Sequence, residues 1–522
     1  MRERVRRNRG DAGALHDLGV VLAARGEYRR SFAAHRAAAD CQPRNVHYLD
    51  RAAGAALTIG RLDDAARYIE SVLSIDPSYV EAWRKRAQLQ FDGLGKPAEA
   101  LDSSIRAIEL EPDNPHNYQT AARCVLSGGG GAEAIARLRT AMRCGVDSSN
   151  IERGTALALA ETGRYEDAIA ILQNVLVHRP RDQTPMRLLA EMYTGLHEWE
   201  SARCWYEKAA RASNDPLPVI GLLLHWSRLG DFERAREICR SRMLGENFER
   251  FLGPAAGRWT GQDIRGKTLH VIAGDLYFGD ALQYGRLARL AREAGARVVL
   301  QAPKRLRSLL RASGIADTVI APHDPLPPVD LHARAFWSLY TTSIPIERII
   351  GETPYLRAPC ELCADWRTRI PQTGGTRAGI VWRGSAYRSR DRFGSRSMPL
   401  ESLRPLIRVP DLTLYSFQYG DGRGELWNAD PPFAAIDLAP DFSNTAAAME
   451  ALDVVITVDT SIAHLAGALG KRTFLMLPYD ACFRWMIDRD DTPWYRSLRL
   501  FRQTKPGEWS DVVESVTRAL AS

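Results

Sequence analysis

Glycine recurs along the first half of the chain at an almost fixed interval, and that period constrains the fold more than any other feature of the sequence. Gly26, Gly60, Gly95, Gly130, Gly163 and Gly230 stand at turn positions, with His197 in the glycine place between the last two. The successive spacings are 34, 35, 35, 33, 34 and 33 residues. Pro43, Pro77, Pro112 and Pro180 close units at the same period. A repeat of this length is one supersecondary unit; it cannot bury its apolar face alone and must stack on its neighbours.

Inside each unit the pattern is helical. In the second, Ala52, Ala56 and Leu57 precede Gly60, and Ala65, Ala66, Ile69, Val72 and Leu73 precede Asp76-Pro77. Spacings of three and four place these side chains on one face of each helix. Alanines let paired helices approach closely, glycine ends the first helix and proline stops the second. The fragments Gly26-Glu27-Tyr28, Gly163-Arg164-Tyr165-Glu166-Asp167-Ala168 and Gly230-Asp231-Phe232-Glu233-Arg234-Ala235 resemble the tetratricopeptide repeat (TPR) family. About seven such units cover residues 12–245. The resemblance implies a TPR α-solenoid whose concave face takes a protein partner; the plainer alternative is an array that only stabilises or dimerises the rest of the chain. The fourth unit is the least regular, with Gly128-Gly129-Gly130-Gly131 at its turn and no closing proline.

The chain has 522 residues, too many for one core. With 45% hydrophobic and 25% charged residues it has the composition of ordinary globular domains. No apolar run approaches the roughly 18 residues of a membrane span. Arg2, Arg4, Arg6, Arg7 and Arg9 open the sequence and no apolar run follows, a pattern that excludes a secretory signal and predicts a cytoplasmic protein. A net charge of +7 suits anionic ligands such as sugar diphosphates, and no interleaved aromatic and basic stripe points to nucleic acid. The eight cysteines are scattered, as expected of free thiols in a reducing compartment. Cys360-Glu361-Leu362-Cys363 has metal or redox spacing, but no second pair completes a zinc site, so no metal is expected.

After Gly245 the period changes. Gly253-Pro254 and Gly257 make a connector over 246–265, and strands then alternate with helices. Strands are predicted at Thr268–Ala273, Arg297–Gln301 and Thr318–Ile320, with helices at Ala281–Ala294 and Lys304–Ser313. A second run has strands at Ala378–Trp382, Leu412–Phe417, Ala435–Leu438, Val454–Val458 and Thr473–Leu477. This alternation predicts doubly wound parallel sheets in two Rossmann-like α/β subdomains, 266–345 and 377–522, joined by a linker over 346–376. Ligands in such sheets bind beyond the carboxyl ends of the strands.

The sharpest cluster of polar residues follows one of those ends. Val454–Val458 runs into Asp459-Thr460-Ser461, then into the small-residue stretch Ile462-Ala463-His464-Leu465-Ala466-Gly467-Ala468-Leu469-Gly470. Exposed N–H groups and the dipole of the following helix suit a phosphate there, and Asp459 can accept from sugar hydroxyls. The residues alone equally allow a plain helix cap at Thr460 or Ser461 and a structural His464.

This stretch resembles the D-T-x-x-x-H-L-A-x-A-L-G signature of glycosyltransferase family 9, the heptosyltransferases, and in particular bacterial proteins that join tetratricopeptide repeats to such a domain. Leu477-Pro478-Tyr479, Arg484-Trp485, Asp488-Arg489-Asp490-Asp491-Thr492-Pro493-Trp494-Tyr495 and Leu500-Phe501-Arg502-Gln503 continue the likeness, which spans roughly 260–520. It implies the two-domain GT-B architecture and an inverting, metal-independent transfer from a nucleotide-sugar donor, used as substrate with no separate cofactor, to a protein or glycan acceptor. Phe278-Gly279-Asp280 stands where the family carries its Gly-Asp, so Asp280 is the implied general base, with a helix N-cap as the plain alternative. Trp382-Arg383-Gly384-Ser385, then Asp391-Arg392 and Arg396-Ser397, match the family's phosphate contacts. Gln418 in Ser416-Phe417-Gln418 is expected on the nucleotide side, and Asp459, Thr460, Ser461 and His464 at the donor.

The loop Asp275-Leu276-Tyr277-Phe278-Gly279-Asp280 departs from the usual E-Q-G-L-G-D, and Ser385 stands for the usual asparagine of W-x-G-N. The rival expectation is therefore a non-catalytic TPR interaction or scaffold protein with a degenerate transferase-like domain. An enzyme adding heptose to lipopolysaccharide shares the fold but has no need of seven repeats. Asp488-Arg489-Asp490 has D-x-D spacing but does not follow a strand end.

Overall fold

The computed structural model describes residues 11–111 except 25–26, scattered positions from 114 to 159, and residues 164–521 except 213, 244–247, 274–276, 343, 351–352, 373, 385–395, 420–433, 437 and 439–440. Gly26, Gly128–Gly131, Gly163, Pro112, Asp275, Leu276, Ser385, Asp391 and Arg392 lie outside the described residues. The chain divides into two compact units, 1–192 and 193–522.

In the first unit, helices Ala12–Ala24, Tyr28–Cys41, Val46–Thr58, Leu62–Ile75, Val80–Gln88, Pro97–Leu110 and Tyr165–His178 follow the sequence period. The Asn45 side chain caps the third, accepting from the N–H groups of His47 (3.1 Å) and Tyr48 (3.3 Å). Gly60 and Gly95 take φ of 72° and 63°, the left-handed turn that lets the chain reverse between paired helices. Ala52, Ala53, Ala56, Ala65, Ile69 and Val72 form the buried seam between neighbouring helices. A π-helical turn at Leu89–Gly93 interrupts the regular pattern in the third repeat.

The second unit begins at Tyr193 and includes the last repeat helices. Helices Trp199–Ala212, Pro216–Arg228 and Phe232–Arg242 keep the repeat pattern but share their core with the α/β region. The Ser227 hydroxyl meets that of Tyr340 at 3.0 Å, and Arg236 Nε donates to the Leu339 carbonyl at 3.0 Å. Phe232 and Trp494 rings meet edge-on at 6.0 Å.

Two parallel sheets follow. The first comprises β1 (Thr268–Ile272), β2 (Arg297–Gln301), β3 (Thr318–Ile320) and β4 (Leu331–Arg334), in the order β3-β2-β1-β4. The second comprises β5 (Thr376–Val381), β6 (Leu412–Ser416), β7 (Ala434–Ala435), β8 (Val454–Val458), β9 (Thr473–Leu477) and β10 (Leu498–Arg502), in the order β10-β9-β8-β5-β6-β7. Every pairing is parallel. All residues of β8 and β9 are buried, the unbroken apolar character of strands covered on both faces. The winding direction reverses at β1 in the first sheet and at β5 in the second, which places a switch point beside β1/β4 and another beside β5/β8.

Several sequence expectations need correction. The helix expected over Ala281–Ala294 is two helices, Phe278–Tyr284 and Arg286–Glu293, meeting at Gly285, where a Cβ would lie 2.5 Å from the Ala281 carbonyl oxygen. Among the described residues the strand expected at Ala435–Leu438 is Ala434–Ala435. β4 and β10 have no counterpart among the predicted strands. No helix among the described residues is long and apolar enough to cross a membrane.

Candidate functional site

Asp280, Asp459, Thr460, Ser461 and His464, five of the residues singled out in the sequence, lie on the segments that follow β1 and β8. β8 delivers Asp459 and Thr460, and the helix Ser461–Ala468 starts at once. Thr460 caps it, its hydroxyl accepting from the Ile462 N–H at 3.2 Å. His464, one turn in, is buried; its Nδ1 lies 3.1 Å from the Tyr495 hydroxyl and its ring stacks on Trp485 at 5.2 Å.

The helix Phe278–Tyr284, which follows the loop after β1, packs against this one. Gly279 makes the approach possible, since a Cβ there would sit 2.8 Å from His464 Cδ2. The close contact brings the next residue, Asp280, to the end of β8. Asp280 is not the helix cap: that position is Tyr277, which makes no side-chain cap bond. Instead Asp280 Oδ1 accepts from Arg484 Nη2 in an ion pair that spans 204 residues of sequence.

Arg484 arrives on a 3-10 turn, Phe483–Trp485, shortly after β9. Its guanidinium lies over the Phe483 ring (4.7 Å) and beside Tyr284 (5.7 Å), and Nη1 is 2.9 Å from Cys482 Sγ. Burial opposes its charge, yet the fields of Tyr284, Cys482, Asp280 and Asp459 hold it firmly protonated. One cation thus feels the carboxylates that follow β1 and β8. Arg484 Nε, Trp485 Nε1, Trp494 Nε1 and the Tyr284 hydroxyl are buried and have no hydrogen-bond partner among the described residues. A site this rich in donors suits an anionic, oxygen-rich ligand.

The loops after β5 and β6 form a second group. Gln418 spends its amide on backbone: Oε1 accepts from the N–H groups of Trp382 (3.2 Å) and Arg383 (3.0 Å), and Nε2 donates to the carbonyls of Arg383 (3.2 Å) and Tyr419 (3.1 Å). It therefore clamps two strand ends together. The Gly384 N–H donates to Ser397 Oγ at 3.1 Å, and Arg396 Nη1 reaches the Asp459 carbonyl at 3.5 Å, linking this group to the end of β8. Ser385 lies outside the described residues.

Among the described residues no three His, Cys, Asp or Glu side chains are arranged to hold a metal. Cys360 and Cys363 are free thiols, one exposed and one buried, and burial pushes the Cys363 thiol up. Asp488, Arg489 and Asp490 stand in a surface turn where Arg489 pairs with Asp491 at 2.6 Å. Sequence reasoning leaves Arg484 without a role; the Arg484-Trp485 pair is visible as a motif, but its partner Asp280 is distant in sequence.

The chain carries N-terminal tetratricopeptide repeats: residues 51–115 and 153–216 match that family. Over nearly its whole length the chain is similar to Protein FlbA of Caulobacter vibrioides (strain ATCC 19089 / CIP 103742 / CB 15), at 23% identity over 538 residues, covering 97% of this chain and 84% of FlbA. Among solved structures it is similar to TTC0263, a thermophilic TPR protein in Thermus thermophilus, at 19% identity over 35% of this chain and 98% of that one, with a TM-score of 0.26. It is also similar to the first TPR of Spaghetti (RPAP3) bound to an HSP90 peptide, at 22% identity over 26% of this chain and 91% of that one, with a TM-score of 0.20.

Proposed function

We propose that the α/β region is a glycosyltransferase of GT-B type, which moves a sugar from a nucleotide-sugar donor to a protein or glycan acceptor recruited by the tetratricopeptide array. The observation that carries this reading is the convergence of Asp280, Asp459, His464 and Arg484 from the carboxyl ends of two parallel sheets. In the proposed step the acceptor oxygen attacks the anomeric carbon while the Asp280 carboxylate takes its proton. The bond from that carbon to the diphosphate oxygen breaks, and the nucleoside diphosphate leaves with the electron pair. Arg484, Arg383 and Arg396 supply positive charge for the leaving group, and the helix starting at Ser461 adds its N-terminal dipole. The inversion is metal-independent, with no cofactor beyond the donor.

The test is thermal-shift binding and nucleoside diphosphate release with a panel of nucleotide sugars. Asp459→Ala is expected to abolish donor stabilisation. Asp280→Asn is expected to keep it while turnover falls by roughly 10²–10⁴. If no donor stabilises the wild-type chain, the transferase reading fails and the second one stands: a non-catalytic TPR interaction protein. The engagement of Asp280 Oδ1 by Arg484 and the full commitment of the Gln418 amide to backbone favour that second reading.

A further inference from the structure

Three described repeat turns place glycine at a positive φ: Gly60 at 72°, Gly95 at 63° and Gly230 at 83°. The equivalent turn before Trp199 does so with His197, at φ 61°. Side chains rarely adopt this conformation, and it persists only where surrounding contacts over-determine it. Here those contacts are visible. The imidazole lies between two rings, Trp199 at 4.9 Å and 19° and Tyr479 at 4.1 Å and 3°. Its Nε2 is 3.2 Å from the Tyr479 carbonyl. Burial lowers its pKa, with Asp480 opposing, so the ring favours the neutral form that stacks without a desolvated charge.

Tyr479 belongs to the segment that leaves β9. The same segment is tied to the repeats a second time, by Arg228 Nη1 to Asp480 Oδ1 at 2.6 Å, with the Arg228 guanidinium over Trp199 at 5.8 Å. Gln503 Oε1 accepts from the Tyr479 N–H at 3.0 Å and fixes the segment to the end of β10. A few residues on, this stretch delivers Arg484 to Asp280 and Trp485 to His464.

We infer that His197 is a positioning residue: the turn of the repeats at 195–199 sets the segment 478–485, and through it the placement of Arg484 against Asp280. The repeats then belong to the architecture of the site as well as to recruitment. The inference deepens the proposed function where transfer is concerned, but its structural content does not depend on that reading.

The variant that tests it is His197→Gly in the full chain. Glycine is the residue the other turns use, so the turn keeps its backbone while the ring is lost. Hydrogen–deuterium exchange is expected to quicken about tenfold or more in peptides covering 478–486, with peptides covering 60–75 unchanged. Tyr479→Leu is expected to produce the same change, and the double variant no more than either alone, because both remove one shared contact. Exchange that quickens only within 193–200, or additive effects in the double variant, overturns the inference. In a turnover assay His197→Gly is expected to lower kcat with little change in donor KM. Quickened exchange at 478–486 in a chain that binds no donor upholds the positioning role and removes only the transferase reading.

Discussion

The two compact units are filled with different material. In the repeats of residues 1–192 the helices meet over Ala52, Ala53, Ala56 and Ala65, and the largest fully buried side chains among the described residues are aliphatic: Ile69, Ile108, Leu172 and Leu189. In residues 193–522 the equivalent places belong to rings: Trp366, Trp382, Trp485, Trp494, Tyr340 and Tyr495. Alanine seams join elements that are neighbours in sequence, so each repeat depends on the one before and the one after. The rings join elements far apart: Trp494 meets Phe232 of a repeat helix and Tyr284 of the helix after β1. One unit is stabilised in small local increments and the other through a few long-range anchors, and substitutions separate the two.

The largest effect is expected from Trp494→Ala. Loss of a fully buried indole that touches several elements costs about 3–5 kcal/mol and falls on the unfolding of 193–522 as a whole, measurable by denaturant titration of the variant. Ile69→Ala is expected to cost about 2–4 kcal/mol, with faster amide exchange confined to the flanking repeats; exchange rising throughout the chain would mean that the repeats unfold as one with the rest.

A Cβ on Gly467 would lie 2.3 Å from Tyr495 Cγ, so Gly467→Ala forces a ring to move and is expected to cost about 1–3 kcal/mol in melting experiments. Gly60→Ala meets nothing within 4 Å and bears only the backbone cost of its φ of 72°, about 1 kcal/mol.

Acid tests a property the units share. Burial lowers the pKa of His35 in the first unit and of His225 in the second to about 4, from the ordinary 6.5. Each is neutral when folded and gains a proton more readily when unfolded. Their contribution is therefore complete above pH 6.5 and is lost as pH falls toward 4. Melting temperature is expected to drop across that window, and His35→Gln to flatten the drop for the repeat unit alone.

What the sequence discloses follows from period and polarity. The repeat period locates the helices because glycine and proline mark their ends. The apolar runs Val454–Val458 and Thr473–Leu477 locate central strands because both faces are covered. β4, with the sequence Leu-His-Ala-Arg, escapes such a reading because an edge strand with one buried position carries no apolar run. β10 escapes it for a related reason, since Arg499 and Arg502 interrupt its apolar residues. At the site, Asp280, Asp459 and His464 are legible as motifs, whereas the pairing of Asp280 with Arg484 depends on tertiary placement that local spacing does not encode. The backbone contacts of Gln418 are not legible either, because a motif does not say whether an amide faces a ligand or its own backbone.

Arg286 is buried at 3% exposure, with its guanidinium over the rings of Tyr355, Trp494 and Tyr495. It donates to the carbonyls of Gln283, Ile350 and Trp494 at 2.8, 2.7 and 3.2 Å. Its acceptors come from three separate stretches of chain. A fragment ending near residue 345 would retain the cation and lose the carbonyls of Ile350 and Trp494, and one starting near 377 would lose the cation itself. The two sheets are thus not parts that can be expressed one at a time without leaving this buried cation or its acceptors unpaired.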